Sequence, residues 1–239
     1  SILEKAASMA GIQMPLATIE TLGNCNWVQE SVRNLPPVHV GRFVVLGSHS
    51  DSSKNTTLIE LEVDAGAAFG TGHHATTKGF LRALSELSRL HGPVRALDIG
   101  CGAGTLAMGI ARLWKVKTIA SDIDPIAVHV ARANVSRNHL HTLVQCVASN
   151  GTASPMIRQR GPFDLIVANI LLRPLVRLAP SIAQNLSPGA TIVLSGVLDN
   201  QAASIVAMYR KQGLHLKRHF SIDGWTTVIM TRPRQRARR

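Results

Sequence analysis

Val94-Arg95-Ala96-Leu97-Asp98-Ile99-Gly100-Cys101-Gly102-Ala103-Gly104-Thr105 is the stretch whose reading decides the fold of this chain. Val94 to Ile99 is apolar enough for a buried strand, and Thr105 to Leu113 is Ala-rich and helical in pattern. Three glycines spaced G-x-G-x-G join them. Glycines at such a junction remove side chains where a ligand must approach the backbone, and the helix that follows aims its N-terminus at that ligand. A nucleotide-like cofactor is the natural occupant, but the glycines do not say which one. Cys101 sits inside the turn, where small-residue packing explains it better than nucleophilic chemistry.

Outward from this point the sequence alternates. Strands are predicted at 94–100, 116–122, 142–147, 163–169 and 190–197, and helices at 105–114, 125–138, 172–185 and 200–212. Pro125 suits a first helical turn, Ser187-Pro188-Gly189 and Gly213 suit helix stops, and 149–161 reads as a loop with one short helix. Such β/α alternation predicts a mostly parallel sheet covered on both faces. The end of the chain breaks the pattern. His215–Ile222 and Trp225–Thr231 are both strand-like, and Asp223-Gly224 between them is a strong hairpin signal. A final antiparallel pair is foreign to a nicotinamide-type Rossmann domain but fits the class I methyltransferases, whose seventh strand lies antiparallel beside the fifth. The predicted fold is therefore α/β, Rossmann-like, with a seven-stranded mostly parallel sheet, a C-terminal antiparallel hairpin and a short N-terminal extension.

Bulk properties bound the rest. The 239 residues are 45% hydrophobic, enough for a proper core. No apolar run reaches membrane-spanning length, and the N-terminus lacks the basic and apolar regions of a signal peptide. The three cysteines, Cys25, Cys101 and Cys146, form no C-x-x-C pair; reduced thiols in a cytoplasmic setting fit best. The net charge is +12, with five arginines in the last eight residues (232, 234, 236, 238 and 239). Such a tail is a solvated end or a weak, sequence-blind contact to RNA. Residues 1–64 read as an N-terminal extension or a truncated recognition domain with linker, with a short helix at 3–10 and strands at 38–46 and 58–63. Residues 65–232 form the cofactor-binding domain and 233–239 the basic tail.

Asp122 ends the second strand of the alternation. An acid there can take both ribose hydroxyls of S-adenosylmethionine (SAM) or of NAD. Asp124, before Pro125, reads instead as a helix N-cap. Asp98 is expected to brace the turn through backbone N–H groups, with Gly100, Gly102 and Gly104 forming the cradle. Asn169 ends the fourth strand at the same sheet edge, either to orient a methyl acceptor or to cap the next helix. The segment Ala67 to Thr77, Ala-Ala-Phe-Gly-Thr-Gly-His-His-Ala-Thr-Thr, precedes a helix predicted at 78–90, with Thr76 or Thr77 as its cap. It reads as a lid with Phe69 as a wall, or as a hinge loop with solvent-facing histidines. His73 and His74 diverge as neighbours, so no metal site is expected.

These segments carry a resemblance. Phe69–Thr77, Leu97–Gly104, Asp122-Ile-Asp-Pro125, Ala168-Asn-Ile170 and Leu194-Ser-Gly-Val197 closely resemble the ribosomal protein L-eleven methyltransferase family (PrmA-like). Asn26-Trp27 and Pro37–Arg42 resemble the stretch joining that family's recognition and catalytic domains. The resemblance implies a SAM-dependent protein N-methyltransferase acting on lysine or N-terminal amines of a ribosomal protein. It places Thr77, Gly100, Asp122 and Asn169 at SAM-contacting positions, and Phe69, Gly70, Thr71 and Gly72 in a substrate-side loop. Asn169 is then the orienting group, and His74 a proton acceptor or loop brace. Ala75 stands where the family has a proline. Other readings remain open: methylation of another protein, such as an electron-transfer flavoprotein subunit, methylation of RNA, or an inactive ribosome-binding module with the same fold.

Overall fold

The computed structural model describes residues 2–13, 36–47, 57–64, 70, 72–89 and 92–234. The chain opens with helix α1 (Ile2–Ala10), followed by β1 (Val38–Val40), β2 (Phe43–Leu46) and β3 (Ile59–Glu62). Then come α2 (Ala75–Leu87), β4 (Arg95–Ile99), α3 (Thr105–Trp114), β5 (Lys117–Asp122), α4 (Pro125–Arg137) and β6 (Val144–Ala148). The rest is α5 (Pro155–Arg160), β7 (Phe163–Asn169), α6 (Leu172–Gln184), β8 (Leu186–Leu198), α7 (Ala202–Lys211), β9 (His215–Ile222) and β10 (Trp225–Thr231).

Seven strands form the main sheet in the order β6-β5-β4-β7-β8-β10-β9. The first five are parallel, while β10 runs antiparallel between β8 and β9. Asp223 and Gly224 both take positive φ, 49° and 79°. That is the backbone a two-residue hairpin turn needs to match the twist of its strands. Side chains alternate between two apolar layers, as expected for a sheet covered on both faces. Ala96 and Val167 face α2 and α3 together with Phe43 and Leu61, whereas Leu97, Ile99 and Ile166 face α6 and α7, including Ile182 and Tyr209.

Two local readings change. The predicted strand 38–46 is a hairpin, because Gly41 at φ +57° turns the chain between β1 and β2. The predicted stop at Ser187-Pro188-Gly189 lies within β8, where a register shift against β7 absorbs the extra residues. A missing ladder N–H at Pro188 and a positive φ at Gly189 are tolerable at such a bulge.

The small sheet β1-β2-β3 shares the core of the main one. Val38, Phe43, Val45, Leu61 and Val63 belong to the same buried cluster as Leu81, Leu84, Met108 and Ile110. Two asparagines of α4 and its C-terminus complete the open edge of β3. Asn138 accepts from Glu62 N and donates to Glu62 O, at 3.0 and 2.7 Å; Asn134 does the same for Asp64, both at 3.0 Å. An amide side chain can mimic a neighbouring strand in this way because it carries both a donor and an acceptor.

Candidate active site

The strand order reverses between β4 and β7: β5 and β6 lie on one side, β8 on the other. Ligands of open α/β sheets bind at such a point, outside the carboxyl ends of the strands. Gly100 follows β4 there, and Asn169 ends β7, with Ile99 and Ala168 in register. Gly100, Gly102 and Gly104 all take positive φ. At Gly100 a side chain is excluded twice over, since a Cβ would also collide with Ile170.

Two acidic side chains hold the turn. Asp98 Oδ2 accepts from Ala107 N in the first turn of α3 at 3.0 Å. Asp122 Oδ2 accepts from Gly102 N at 2.9 Å, and its Oδ1 from Asp124 N at 3.0 Å. A carboxylate has about four lone-pair sites, so Asp122 keeps acceptor capacity toward the cavity it lines. Asp124 Oδ1 accepts from Ile126 N at 2.8 Å and caps α4, as its place before Pro125 predicts. Asp98 is fully buried and its Oδ1 has no hydrogen-bond partner among the described residues. Burial, with the charge of Asp122 adding to it, pushes its carboxyl up to about 8. Burial likewise pushes the Cys101 thiol far up, which suits packing and not nucleophilic attack.

Two cavities meet at this edge. One, of about 320 Å3, is lined by Gly100, Gly102, Asp122, Ile123, Asn169 and Ile170 among others. The second, of about 220 Å3, is lined by His74, Thr76, Asn169, Ile170, Leu171, Gly196 and Trp225. Asn169 and Ile170 are common to both. The first cavity has the donor set a nucleoside cofactor needs: a side-chain-free glycine cradle, a carboxylate with unused lone pairs and apolar walls. The second pairs a polar wall of His74, Thr76 and Asn169 with apolar Ile170, Leu171 and Trp225, and no carboxylate is among its described lining residues.

The second cavity has an ordered polar wall. His74 is the N-cap of α2: its Nδ1 accepts from Thr76 N at 3.3 Å and lies 2.8 Å from Thr76 Oγ1. A backbone N–H can only donate, so Nδ1 presents its lone pair, and a neutral ring then carries its proton on Nε2. The Thr76 hydroxyl accordingly donates to Nδ1 and accepts from Asn169 Nδ2 at 3.2 Å. Asn169 is thereby held with its amide oxygen left to accept. The ring of Trp225 packs edge-on against His74, centroids 5.0 Å apart.

Several expectations meet a different local structure. Helix α2 begins at Ala75, three residues before its predicted start, because the His74 side chain supplies the cap assigned to Thr76 or Thr77. Asn169 caps nothing; the N-cap of α6 is Leu171. Thr77 is buried, its hydroxyl has no partner among the described residues, and it lines neither cavity. His73 is half-buried, its Nε2 2.9 Å from the carbonyl of Pro36, so it ties the loop to the segment before β1. Gly70 is anchored on α3 through its carbonyl, which accepts from Thr105 Oγ1 at 2.6 Å, and Gly72, at positive φ, lies against Val45. Phe69, Thr71, Cys25, Asn26, Trp27 and the tail arginines 236, 238 and 239 lie outside the described residues. Sequence reasoning missed Thr76 and Gly196 as wall residues. Among the described residues no group of three or more His, Cys, Asp or Glu is placed to hold a metal ion, and no helix is long and apolar enough to cross a membrane.

Comparison with known proteins adds an independent line. The family model described as "Ribosomal protein L11 methyltransferase (PrmA)" matches residues 2–233. A ribosomal protein L11 methyltransferase of Brucella abortus (strain S19) is 43% identical over 229 residues, covering 95% of this chain and 80% of that protein. The Mesorhizobium japonicum protein of the same name is 43% identical over 209 residues, covering 87% of this chain and 72% of its own. Among solved structures, a ribosomal protein L11 methylase from Lactobacillus delbrueckii subsp. bulgaricus superimposes with a TM-score of 0.72 at 23% identity, over 80% of this chain and 95% of that one. A methyltransferase from Pyrococcus furiosus gives 0.55 at 21% identity, over 72% and 89%. At these identities the two structures speak for the fold alone.

Proposed function

The chain belongs to the ribosomal protein L11 methyltransferase family, and on that premise we propose that it methylates amine nitrogens of that ribosomal protein at the wall between its two cavities. It is a SAM-dependent methyltransferase with the class I fold. The proposal concerns which residues do the work, and the observation that carries it is the position of Asn169 on the wall common to both cavities. A methyl donor in one and an amine in the other would meet beside its amide.

SAM supplies the electrophilic methyl group and its leaving sulfur. Gly100 and Gly102 leave room for it and Asp122 accepts from its ribose hydroxyls, while Gly104 packs against Ala131 and the buried Thr77 stands apart from the cavity. Asp98 braces the turn from below. Gly70 and Gly72 are anchored against Thr105 and Val45 and line neither cavity, so their part in the loop is to position it.

The attacking nitrogen must be neutral, since an ammonium has no lone pair. A lysine in water, with its pKa near 10.4, is almost wholly charged at neutral pH. A water-poor cavity with no carboxylate among its described lining residues favours the uncharged amine. The Asn169 oxygen then accepts an amine N–H and points the lone pair toward the methyl carbon, while Leu171 and Trp225 wall the methylene stem. Alignment of this kind, and not a strong base, supplies the acceleration. His74 acts as a brace: its Nδ1 lone pair is already committed to Thr76. A cytoplasmic setting accords with the unpaired Cys101 and Cys146.

The test is mass spectrometry of purified ribosomal protein L11 after incubation with the enzyme and methyl-labelled SAM, alongside the Asn169→Ala variant. The expected result is methyl-lysine or a methylated N-terminus for the wild type and a large loss of turnover for the variant. Unchanged turnover in Asn169→Ala would remove the orienting role.

A further inference from the structure

The opposite edge of the sheet carries a charge pattern that methyl transfer does not use. The amino ends of β4, β5, β6 and β7 surround a groove of about 320 Å3, lined by Arg95, Lys117 and Arg160 over a floor that includes Ile119, Leu143 and Phe163. Arg95 and Lys117 are register partners on adjacent strands, so their backbones lie about 5 Å apart. All three cations are exposed. Lys117 Nζ donates to the Thr142 carbonyl at 2.6 Å. A second hollow of about 290 Å3 adjoins the groove, sharing Val94, and is lined by Arg234 and Asp164. Asp164 is the acid facing this region, and its Oδ2 is taken up by Val94 N and Arg95 N, both at 3.0 Å. None of the four cations has an ion-pair partner among the described residues.

Helix termini explain only part of this pattern. Arg160 ends α5, where a cation complements the helix dipole. Arg95 and Lys117 open strands, where no such field acts, so the helix dipole does not account for them.

We propose that this groove binds the phosphate backbone of single-stranded RNA. Guanidinium groups match phosphate oxygens in pairs and stack on bases. The apolar floor and the exposed Val94 offer a surface to a base face, which the carboxylates of an acidic peptide would leave unused. β10 ends at this same edge because it runs antiparallel, which brings Arg234 to the adjoining hollow. The docking edge is thus opposite the catalytic edge, and RNA and an acceptor protein can be held together.

The experiment is fluorescence anisotropy of the full chain with a fluorescein-labelled 12-nucleotide oligouridylate between 50 and 200 mM salt. Each phosphate contact contributes about −0.7 to the log–log salt slope for single strands. Combining Arg95→Gln, Lys117→Gln and Arg160→Gln should reduce the slope by about 2. The wild type should then lose about 20-fold more affinity than the variant across that range. Methyl transfer to purified acceptor protein and the unfolding midpoint should stay as in the wild type. An unchanged slope in the triple variant, with binding lost only on deletion of residues 235–239, would assign the contact to the tail and overturn the proposal. So would poly-glutamate competing as well as RNA.

Discussion

Replacing Thr76 by valine removes one hydroxyl and almost no volume, and so isolates the bridge between His74 and Asn169. Two hydrogen bonds go with it: Thr76 Oγ1 to His74 Nδ1 at 2.8 Å, and Asn169 Nδ2 to Thr76 Oγ1 at 3.2 Å. The backbone bond from Thr76 N to His74 Nδ1 is retained, so the cap of α2 survives. Thr76 is only 1% exposed, and water does not readily replace the lost partner. Each such bond is worth about 1 kcal/mol net. If both orient the acceptor in the transition state, about 1–2 kcal/mol is lost there, or roughly 5- to 30-fold in kcat. The KM for SAM should change by less than about twofold, because a group that acts only in the transition state lowers kcat without weakening ground-state binding. Thr76→Ser keeps the hydroxyl and should stay within about threefold of the wild type. The assay is single-turnover methyl transfer at saturating SAM, paired with 15N NMR of His74, which in the wild type should show the Nε2-protonated ring. Equal turnover in Thr76→Val and the wild type, with Asn169→Ala inactive, would refute the bridge and leave the role of Asn169 standing.

Three further outcomes follow from the geometry. Asp98 has its folded carboxyl raised to about 8 from an ordinary 3.8, so the folded state holds a proton that the unfolded chain releases. Its contribution to stability is complete below about pH 4 and is lost as pH rises toward 8. The unfolding midpoint of the wild type should therefore fall relative to that of Asp98→Asn between pH 5 and 8.5, by up to a few kcal/mol; a pH-independent difference would contradict this. In Gly196→Ala a Cβ meets the backbone carbonyl of Ile170 at a position with φ +85°, so acceptor turnover should collapse with a destabilisation of about 1–3 kcal/mol, read by denaturant titration. Asn134→Ala leaves Asp64 N, Asp64 O and Ala103 O without their amide partner, and the denaturation midpoint should drop by the equivalent of about 2–3 kcal/mol.

Much of the fold was legible because its signals are local. Thr105–Trp114, Phe163–Asn169, His215–Ile222 and Trp225–Thr231 have the bounds their patterns predict, since apolar periodicity and turn residues act over a few positions. The hairpin 38–46 was read as one strand because Gly41 sits in an apolar run that gives no other turn signal. The start of α2 was misplaced because histidine is an unusual cap, and its fitness depends on a ring orientation set by Thr76 and Trp225. Gly100, Gly102 and Asp122, which line the first cavity, were readable as a group because they are near-contiguous or lie at a strand end. In the second cavity Asn169 was readable at a strand end, whereas Thr76 and Gly196 were not, because they come from distant segments that only the sheet order brings together. The bonding of Asn134 and Asn138 to β3 spans 70 and 76 positions and has no local signature.

The terminal hairpin, which first separates this fold from a nicotinamide domain, also supplies the aromatic wall of the second cavity. In a parallel strand the residue at the carboxyl edge is the last one, and the chain departs from there into a loop and a helix. An antiparallel strand begins at that edge. β10 does so with Trp225, paired to Leu198 at the end of β8, while Gly196 lies just below. The tight turn at Asp223-Gly224 therefore places a large aromatic side chain at the mouth of the sheet on a rigid strand, where it can pack on His74. Thr226, the next residue, is fixed in turn by Asp199, whose Oδ1 accepts from its hydroxyl at 2.6 Å while Oδ2 accepts from Ser221. These two hydroxyls hold the Asp199 carboxyl below its ordinary range. The clamp joins the end of β8 to both strands of the hairpin. A wall built on paired strand backbones keeps its position better than one built on a loop, and the alignment proposed for the acceptor amine needs that rigidity.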